Sequence, residues 1–455
     1  MKSYTRLREK QKQFFYSGIT KEYSFRIKQL KCFSTMLKNN EKKLLQALND
    51  DLNKSYEEAF LTEMGPLYQE LSYMIKHLPE WTKAKKVKTA TSHVGSKGYI
   101  YHEPYGVALI IAPWNYPLQL ALAPVIGALA AGNCVVLKPS EFTPHTSSVL
   151  SEIVRDTFSD EYFTVVEGAV ETSQQLLAEP FDYIFFTGSV NVGKAVMEAA
   201  AKHLTPVTLE LGGKSPAIVH EDAKLDLAAK RIAWGKFINA GQTCVAPDYV
   251  LVHEQIKEQF LSKLNQYIDQ LFTASFERNR YPRIVTNRHF TRLLSFLDDG
   301  DIYLGGHFKE EDCVLSPTVL TNVSLDSNIM KEEIFGPILP IIPYQKIEEV
   351  LYLVREQPNP LALYVFTENK EIEQKIIHGL SFGGGCVNDT ILHLATPHLP
   401  FGGVGASGMG AYHGYESFNT FSHRKSILKQ TTAFDLPIRY KQGKVALALL
   451  RKLFK

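Results

Sequence analysis

The chain carries two kinds of hydrophobic pattern. Up to about residue 80, apolar positions fall at helical spacing with dense charge between them, as in EYSFRIKQLKCFSTMLKNNEKKLLQALNDDL. This predicts a surface layer of helices. Residues 86 to 98, KVKTATSHVGSKG, are polar and break the period, while YIYHEPYG alternates as a strand does. A hairpin at an edge or interface is expected there. From about 105 to 220, short apolar runs (VALIIAP, NCVVLKPS, FTVVEG, DYIFFTG, PVTLELGG, PAIVH) are separated by helix-like stretches. That alternation predicts a parallel sheet with crossover helices. A second α/β block, about 225 to 412, places strands at YVLVHE, PTVLTNV, ILPIIPY, ALYVFT and GGGCVND.

One run tests this reading. No charged residue occurs from Val107 to Leu137, a length that could span a bilayer. Pro113, Pro117 and Pro124 interrupt it, so it reads instead as a buried strand, a turn, an apolar helix and a second buried strand. Strands of a parallel sheet covered on both faces are apolar throughout. The tail from Pro437 to Lys455 differs: Arg439, Lys441, Lys444, Arg451, Lys452 and Lys455 occur with no acid. Ala446, Leu449, Leu450, Leu453 and Phe454 would form one helical stripe. Such a helix could lie on an anionic membrane surface as a peripheral contact, or dock on its own or a partner subunit; the second reading is favoured.

Composition adds little beyond exclusions. At 455 residues, with 45% hydrophobic and 22% charged residues, the chain is expected to be a soluble protein of several sub-domains. A formal charge of +2 offers no footprint for nucleic acid. Cysteines at 32, 134, 244, 313 and 386 make no C-x-x-C pair and no zinc-ligand spacing, so free thiols, no metal and a cytoplasmic location are expected. MKSYTRLREKQKQFF lacks the apolar core of a signal peptide.

Two glycine segments could touch phosphate. Gly403, Gly405 and Gly408 match G-x-G-x-x-G, but GAYHGYESFNTF follows where an apolar helix should. This is read as a glycine loop. FDYIFFTGSVNVGKAVMEAAAK is the better candidate, with a strand running into Gly188 and Ser189 and a helix opening near Val192 and Gly193. As a pattern it serves equally as an ordinary turn. KPSE puts Lys138 and Glu141 at another strand's end, where an ammonium and a carboxylate could contact a ribose.

Three polar residues stand in apolar or glycine-rich settings: Asn115 in IIAPWNYP, Glu210 in VTLELGGK and Cys244 in NAGQTCVAP. Singly, each is more often a satisfied core amide, a salt-bridged carboxylate or an inert buried thiol. Together they fit nucleophilic catalysis: a thiol to attack, an amide to donate to an oxyanion, and a carboxylate whose burial raises its pKa toward that of a base. A thiol of pKa about 8.5 is only a few per cent ionised at pH 7, and each unit by which a site lowers it is worth about 1.4 kcal/mol.

The segments APWNYP, KPSE, FTGSVNVG, TLELGGKSP, NAGQTCVAP, EEIFGP and PFGGVGASGMG occur in one order, and in this the sequence resembles the aldehyde dehydrogenase superfamily. GMGAYHGYESFNTFSHRKS is similar to its class 3 branch, which includes fatty-aldehyde enzymes. The resemblance implies two Rossmann-like parallel-sheet α/β domains with a small β bridging element: residues 1–81 and 104–211 binding NAD(P), 212–412 catalytic, 82–103 and 413–432 bridging protomers, and 433–455 the basic tail. It implies Cys244 as nucleophile, Asn115 with the Cys244 N–H as oxyanion hole, and Glu210 as general base. Lys138 and Glu141 would contact the adenosine ribose, Gly188, Ser189 and Gly193 would line the cofactor turn, Glu333 would hold the nicotinamide ribose, and Trp114 and Phe335 would pack nearby. Gly241 and Thr243 read as the small neighbours that a substrate channel and nicotinamide require. The expected cofactor is NAD, with NADP as the other option. The expected substrate is a medium or long aliphatic or an aromatic aldehyde, and the expected assembly a homodimer. Competing readings are a CoA-acylating relative, which needs no base, and a non-catalytic, membrane-associated scaffold.

Overall fold

The protein is described by a computed structural model over residues 4–440 and 442–453. Of the tail residues named above, Lys441, Phe454 and Lys455 lie outside the described residues, as do the side chains of Leu449 and Leu453.

The apolar runs form strands buried along their whole length, and crossover helices cover them. In the first sheet the order is Gly408–Met409, Val207–Glu210, Tyr183–Thr187, Val107–Ile111, Cys134–Lys138, Phe163–Val165. Every pairing is parallel except that of the short edge strand Gly408–Met409. Ile111 pairs with both Lys138 and Phe186, and Thr187 pairs with Glu210. This register ends four strands at one edge, where the segments APWN, KPSE, TGS and LGG emerge together. Helix Gln119–Ala131 is buried from residue 121 to 131, as expected for an uncharged crossover. Among the described residues no helix is long and apolar enough to cross a membrane.

The second sheet runs Asp301–Leu304, Thr318–Thr321, Ile338–Tyr344, Tyr249–His253, Pro216–Val219, Ala362–Phe366, Gly384–Val387, with only its first strand antiparallel. This corrects the grouping of PAIVH with the earlier run: Pro216–Val219 lies between Tyr249–His253 and Ala362–Phe366 in the second sheet. The chain therefore crosses between sheets just after Glu210, through Leu211, Gly212 and Gly213. A third, antiparallel sheet joins Lys85–Val87, Ser96–Pro104 and Ser422–Gln430. Its last strand, SHRKSILKQ, carries no apolar alternation and is mostly exposed; pairing along the whole of Ser96–Pro104 makes it a strand. The helical layer comprises Thr5–Tyr16, Tyr23–Leu52 and Gly65–Trp81, with buried Leu30, Phe33, Leu37, Leu44 and Leu48 facing inward.

Candidate active site

The segment NAGQTC links helix Leu225–Phe237 to strand Tyr249–His253, and its backbone is unusual. Asn239, Ala240 and Gly241 have φ of 53°, 52° and 70°, three left-handed residues in succession. Left-handed conformations at Asn and Ala cost about 1–2 kcal/mol each, so the surroundings must hold them. They do so with buried side-chain bonds. Gln242 Nε2 donates to the carbonyls of Asn239 (3.1 Å) and Arg283 (3.0 Å), and the Val285 N–H donates to Gln242 Oε1 (3.1 Å). Asn239 Nδ2 donates to the carbonyls of Asn115 (2.8 Å) and Gln242 (3.1 Å). The loop thus turns Cys244 toward a cavity instead of continuing into the strand. Gly241 serves this packing: a Cβ there would meet the Gly336 carbonyl at 2.2 Å.

Asn115 is buried, and its Nδ2 donates to the Gln242 carbonyl at 3.0 Å. One amide proton is used there, which fixes the amide beside the Cys244 loop and leaves the other to give. Next to it, the Tyr116 hydroxyl bonds Thr243 Oγ1 at 2.6 Å. Thr243 is therefore a hydrogen-bonding residue as well as a small one.

Glu210 closes strand Val207–Glu210 and is 3% exposed, yet neither carboxylate oxygen has a hydrogen-bond partner among the described residues. Burial raises its pKa well above the usual carboxylate value. Its backbone, by contrast, is fixed: the Gly188 N–H donates to the Glu210 carbonyl (3.0 Å), and Gly408 pairs opposite it. The false phosphate motif thus forms an edge strand against Glu210. Gly408, at φ 143°, must lack a side chain, since a Cβ would meet the Leu209 carbonyl at 2.1 Å.

The chain's cofactor candidates gather on the same edge. Lys138 Nζ and Glu141 Oε2 pair at 2.6 Å. Helix Val190–Ala201 opens two residues earlier than predicted, because the exposed Ser189 caps it, its Oγ accepting from the Val192 N–H at 3.5 Å. Gly193 lies buried inside this helix, where a Cβ would meet Leu211 Cδ2 at 2.6 Å. Its smallness brings the helix against the crossing segment. Glu333 lies over the backbone of Gly212, where a Cβ would meet Glu333 Oε2 at 2.0 Å, and its Oε1 is buried without a partner. Burial, with Asp248 nearby, lifts Glu333 to about 8, against the opposing pull of the Gly213 N–H, Lys214 and Arg292. Phe335, at φ 52°, meets Trp114 edge-on at 5.4 Å.

Glu210 and Glu333 lie near Cys244, and there the electrostatics raise the thiol pKa instead of lowering it. Burial pushes the Cys244 thiol up to about 12, and the nearby carboxyls of Glu333 and Glu210 add to this. The backbone N–H groups of Cys244 and Val245 act the other way but do not prevail. Lys236, itself buried, is drawn down to about 8 chiefly by burial. The cavity that Cys244 faces measures about 180 Å³ and is walled by Leu61, Tyr116, Trp234, Ile391, Phe401 and Tyr412. It adjoins an open groove bordered by Tyr56, Phe60 and Leu61. Tyr116, Trp234, Gln242 and Tyr412 were not singled out from the sequence, since aromatic and amide residues so spaced carry no motif.

An amide and an unpaired carboxylate at the carboxyl ends of parallel strands, a thiol from a helix-to-strand loop and a capped strand-to-helix turn together suit an NAD(P)-dependent dehydrogenase. The chain matches the aldehyde dehydrogenase family over residues 19–427 and belongs to it. It is an aldehyde dehydrogenase, oxidising aldehydes. It is 47% identical over 447 residues to the 4,4'-diaponeurosporen-aldehyde dehydrogenase of Staphylococcus aureus, covering 98% of this chain and 97% of that one. To the dimeric NADP-preferring aldehyde dehydrogenase of Rattus norvegicus it is 44% identical, with 92% of each covered. A solved substrate-bound state of Staphylococcus aureus AldH superposes with a TM-score of 0.98 at 46% identity, over 100% of both chains. An NAD+ complex of Bacillus cereus aldehyde dehydrogenase gives 0.81 at 28% identity, over 89% of this chain and 84% of that one.

Proposed function

We propose that the chain oxidises an apolar aldehyde, medium or long aliphatic or aromatic, to the free acid through a covalent bond to Cys244. The observation that carries this is the placement of Cys244 at the wall of an apolar cavity, with the unpaired Glu210 and the anchored Asn115 beside it. The thiol gives up its proton to solvent and attacks the aldehyde carbon as the thiolate. The oxygen of the resulting thiohemiacetal is held by the free Asn115 amide proton and the Cys244 N–H. The nicotinamide, when bound, supplies a hydride acceptor and a positive charge. Once a thioester has formed on Cys244, Glu210 takes a proton from water as it attacks, and the acid leaves.

The residues present fit a dinucleotide. Lys138 and Glu141 suit a ribose, the Ser189-capped turn and helix start suit a pyrophosphate, and the orphaned Glu333 oxygen suits a ribose hydroxyl beside Trp114 and Phe335. Glu141 would repel a 2'-phosphate, which favours NAD. On this reading residues 1–81 with 104–211 bind the cofactor, and 212–412 carry the chemistry. Residues 82–103 and 413–432 bridge two copies through the third sheet, whose Tyr101, Ile427 and Leu428 are exposed. The tail helix Lys444–Leu453 packs on the protein rather than a membrane, supported by the burial of Ala446.

Purified protein incubated with an aldehyde panel and either cofactor tests the reading. Aldehyde-dependent reduction of NAD with free acid as product is expected. Acyl-CoA formed in its place when CoA is added, or no reduction across the panel, overturns it.

A further inference from the structure

A second buried polar cluster lies outside the reacting groups, in the segment DLNKSYEEAFLTE of the helical layer. Lys54 and Glu63 are both 0% exposed and pair at 2.6 Å. An ammonium has three donors, and here two meet oxygen acceptors while the third side meets a ring. One goes to Glu63 Oε1, one to the Asn115 carbonyl at 3.0 Å, and the third side faces the Tyr116 ring, 4.1 Å from its centroid. Glu63 Oε2 accepts the Leu118 and Gln119 N–H groups at 2.9 and 3.2 Å, holding the start of helix Gln119–Ala131. Five residues before it, Glu58 Oε1 accepts the Asn239 N–H at 2.8 Å.

The helical layer therefore grips both sides of the nucleophile. Lys54 touches Asn115 and Tyr116, whose side chains bond residues 242 and 243, immediately before Cys244. The Asn115 carbonyl takes Lys54 on one side and Asn239 on the other, so residue 115 is pinned between the layer and the strained loop. We propose that Lys54, held by Glu63, is a positioning residue for oxidation: it aims the Asn115 amide and fixes the Asn115–Tyr116 backbone against the Cys244 loop. It touches neither substrate nor thiol. This rests on Asn115 acting as oxyanion donor.

The test is a double-mutant cycle on kcat. Asn115→Ala is measured first; a wild-type kcat there would sink the oxyanion reading itself. Lys54→Met should lower kcat about 10- to 100-fold, the scale for a donor displaced by a fraction of an ångström to an ångström. Where Lys54→Met alone does not unfold cooperatively, Lys54→Met/Glu63→Gln replaces it, because both buried charges then leave together. In the Asn115→Ala background either change should cost less than about 3-fold, since the group it positions is gone. A merely structural role would lower kcat equally in both backgrounds. Such additivity, or a kcat within about 2-fold of wild type for the Lys54 variant with Asn115 still present, overturns the proposal while leaving the Asn115 reading intact.

Discussion

Glu210 and Glu63 are two buried carboxylates with opposite arrangements. Glu63 is matched on both oxygens, by the Lys54 ammonium and by two backbone N–H groups. Glu210 is matched on neither. Leaving a buried carboxylate unpaired costs several kcal/mol or drives it to hold a proton, so the strand end bearing Glu210 is destabilised for a purpose. The turn bearing Glu63 is built to stay still. With Glu210 as the proposed base, the difference separates a group that exchanges a proton from one that holds a geometry, and it separates them by satisfied bonds, since burial alone is alike.

The largest effect should come from removing what Glu210 waits for. Cys244→Ser is expected to lower aldehyde oxidation by about 10³-fold or more, while changes at Cys32, Cys134, Cys313 or Cys386 leave much of it. Substantial turnover by the Cys244 variant would leave the orphaned oxygens unexplained. Next, Glu210→Gln should reduce steady turnover about 10²- to 10³-fold while a first-turnover burst of reduced cofactor survives. Its melting temperature should hold or rise, because an unpaired buried charge is gone; a fall would mean that Glu210 has a structural partner. Glu63→Gln should do the reverse to stability and cost about 3–5 kcal/mol in urea unfolding, for it strands the Lys54 charge. If both glutamate variants shift stability alike, the contrast collapses.

A smaller effect concerns pH. With the thiol held near 12, the reactive thiolate exists mainly above that value and diminishes as pH falls. Without cofactor, alkylation of Cys244 by iodoacetamide should be slow and rise about tenfold per pH unit between 7 and 9.5. A rate already flat by pH 8 would mean that the site stabilises the thiolate after all.

Much of this was legible in the residues. The uncharged run from Val107 to Leu137 carries no helical or alternating polarity, so burial on both faces was its natural reading, and strand, helix and strand follow. Asn115, Glu210 and Cys244 stood out as polar groups in apolar company. The sheet of PAIVH was not legible, since an apolar run states that it is buried and not which neighbour buries it. SHRKSILKQ was not either, because its pairing with Ser96–Pro104 spans some three hundred residues of chain. Nor was the direction of the Cys244 shift, which depends on carboxylates brought beside it from Glu210 and Glu333.

The sequence by itself therefore determined most of the elements and the family, and it singled out the side chains proposed to react, because those reside in local period and short motifs. The tertiary structure alone decided which of two glutamates is satisfied, where Gly193 and Gly408 press, and that Lys54 reaches Asn115. These depend on through-space distances of a few ångströms between segments far apart in sequence, and hydrogen bonding and desolvation act only at that range.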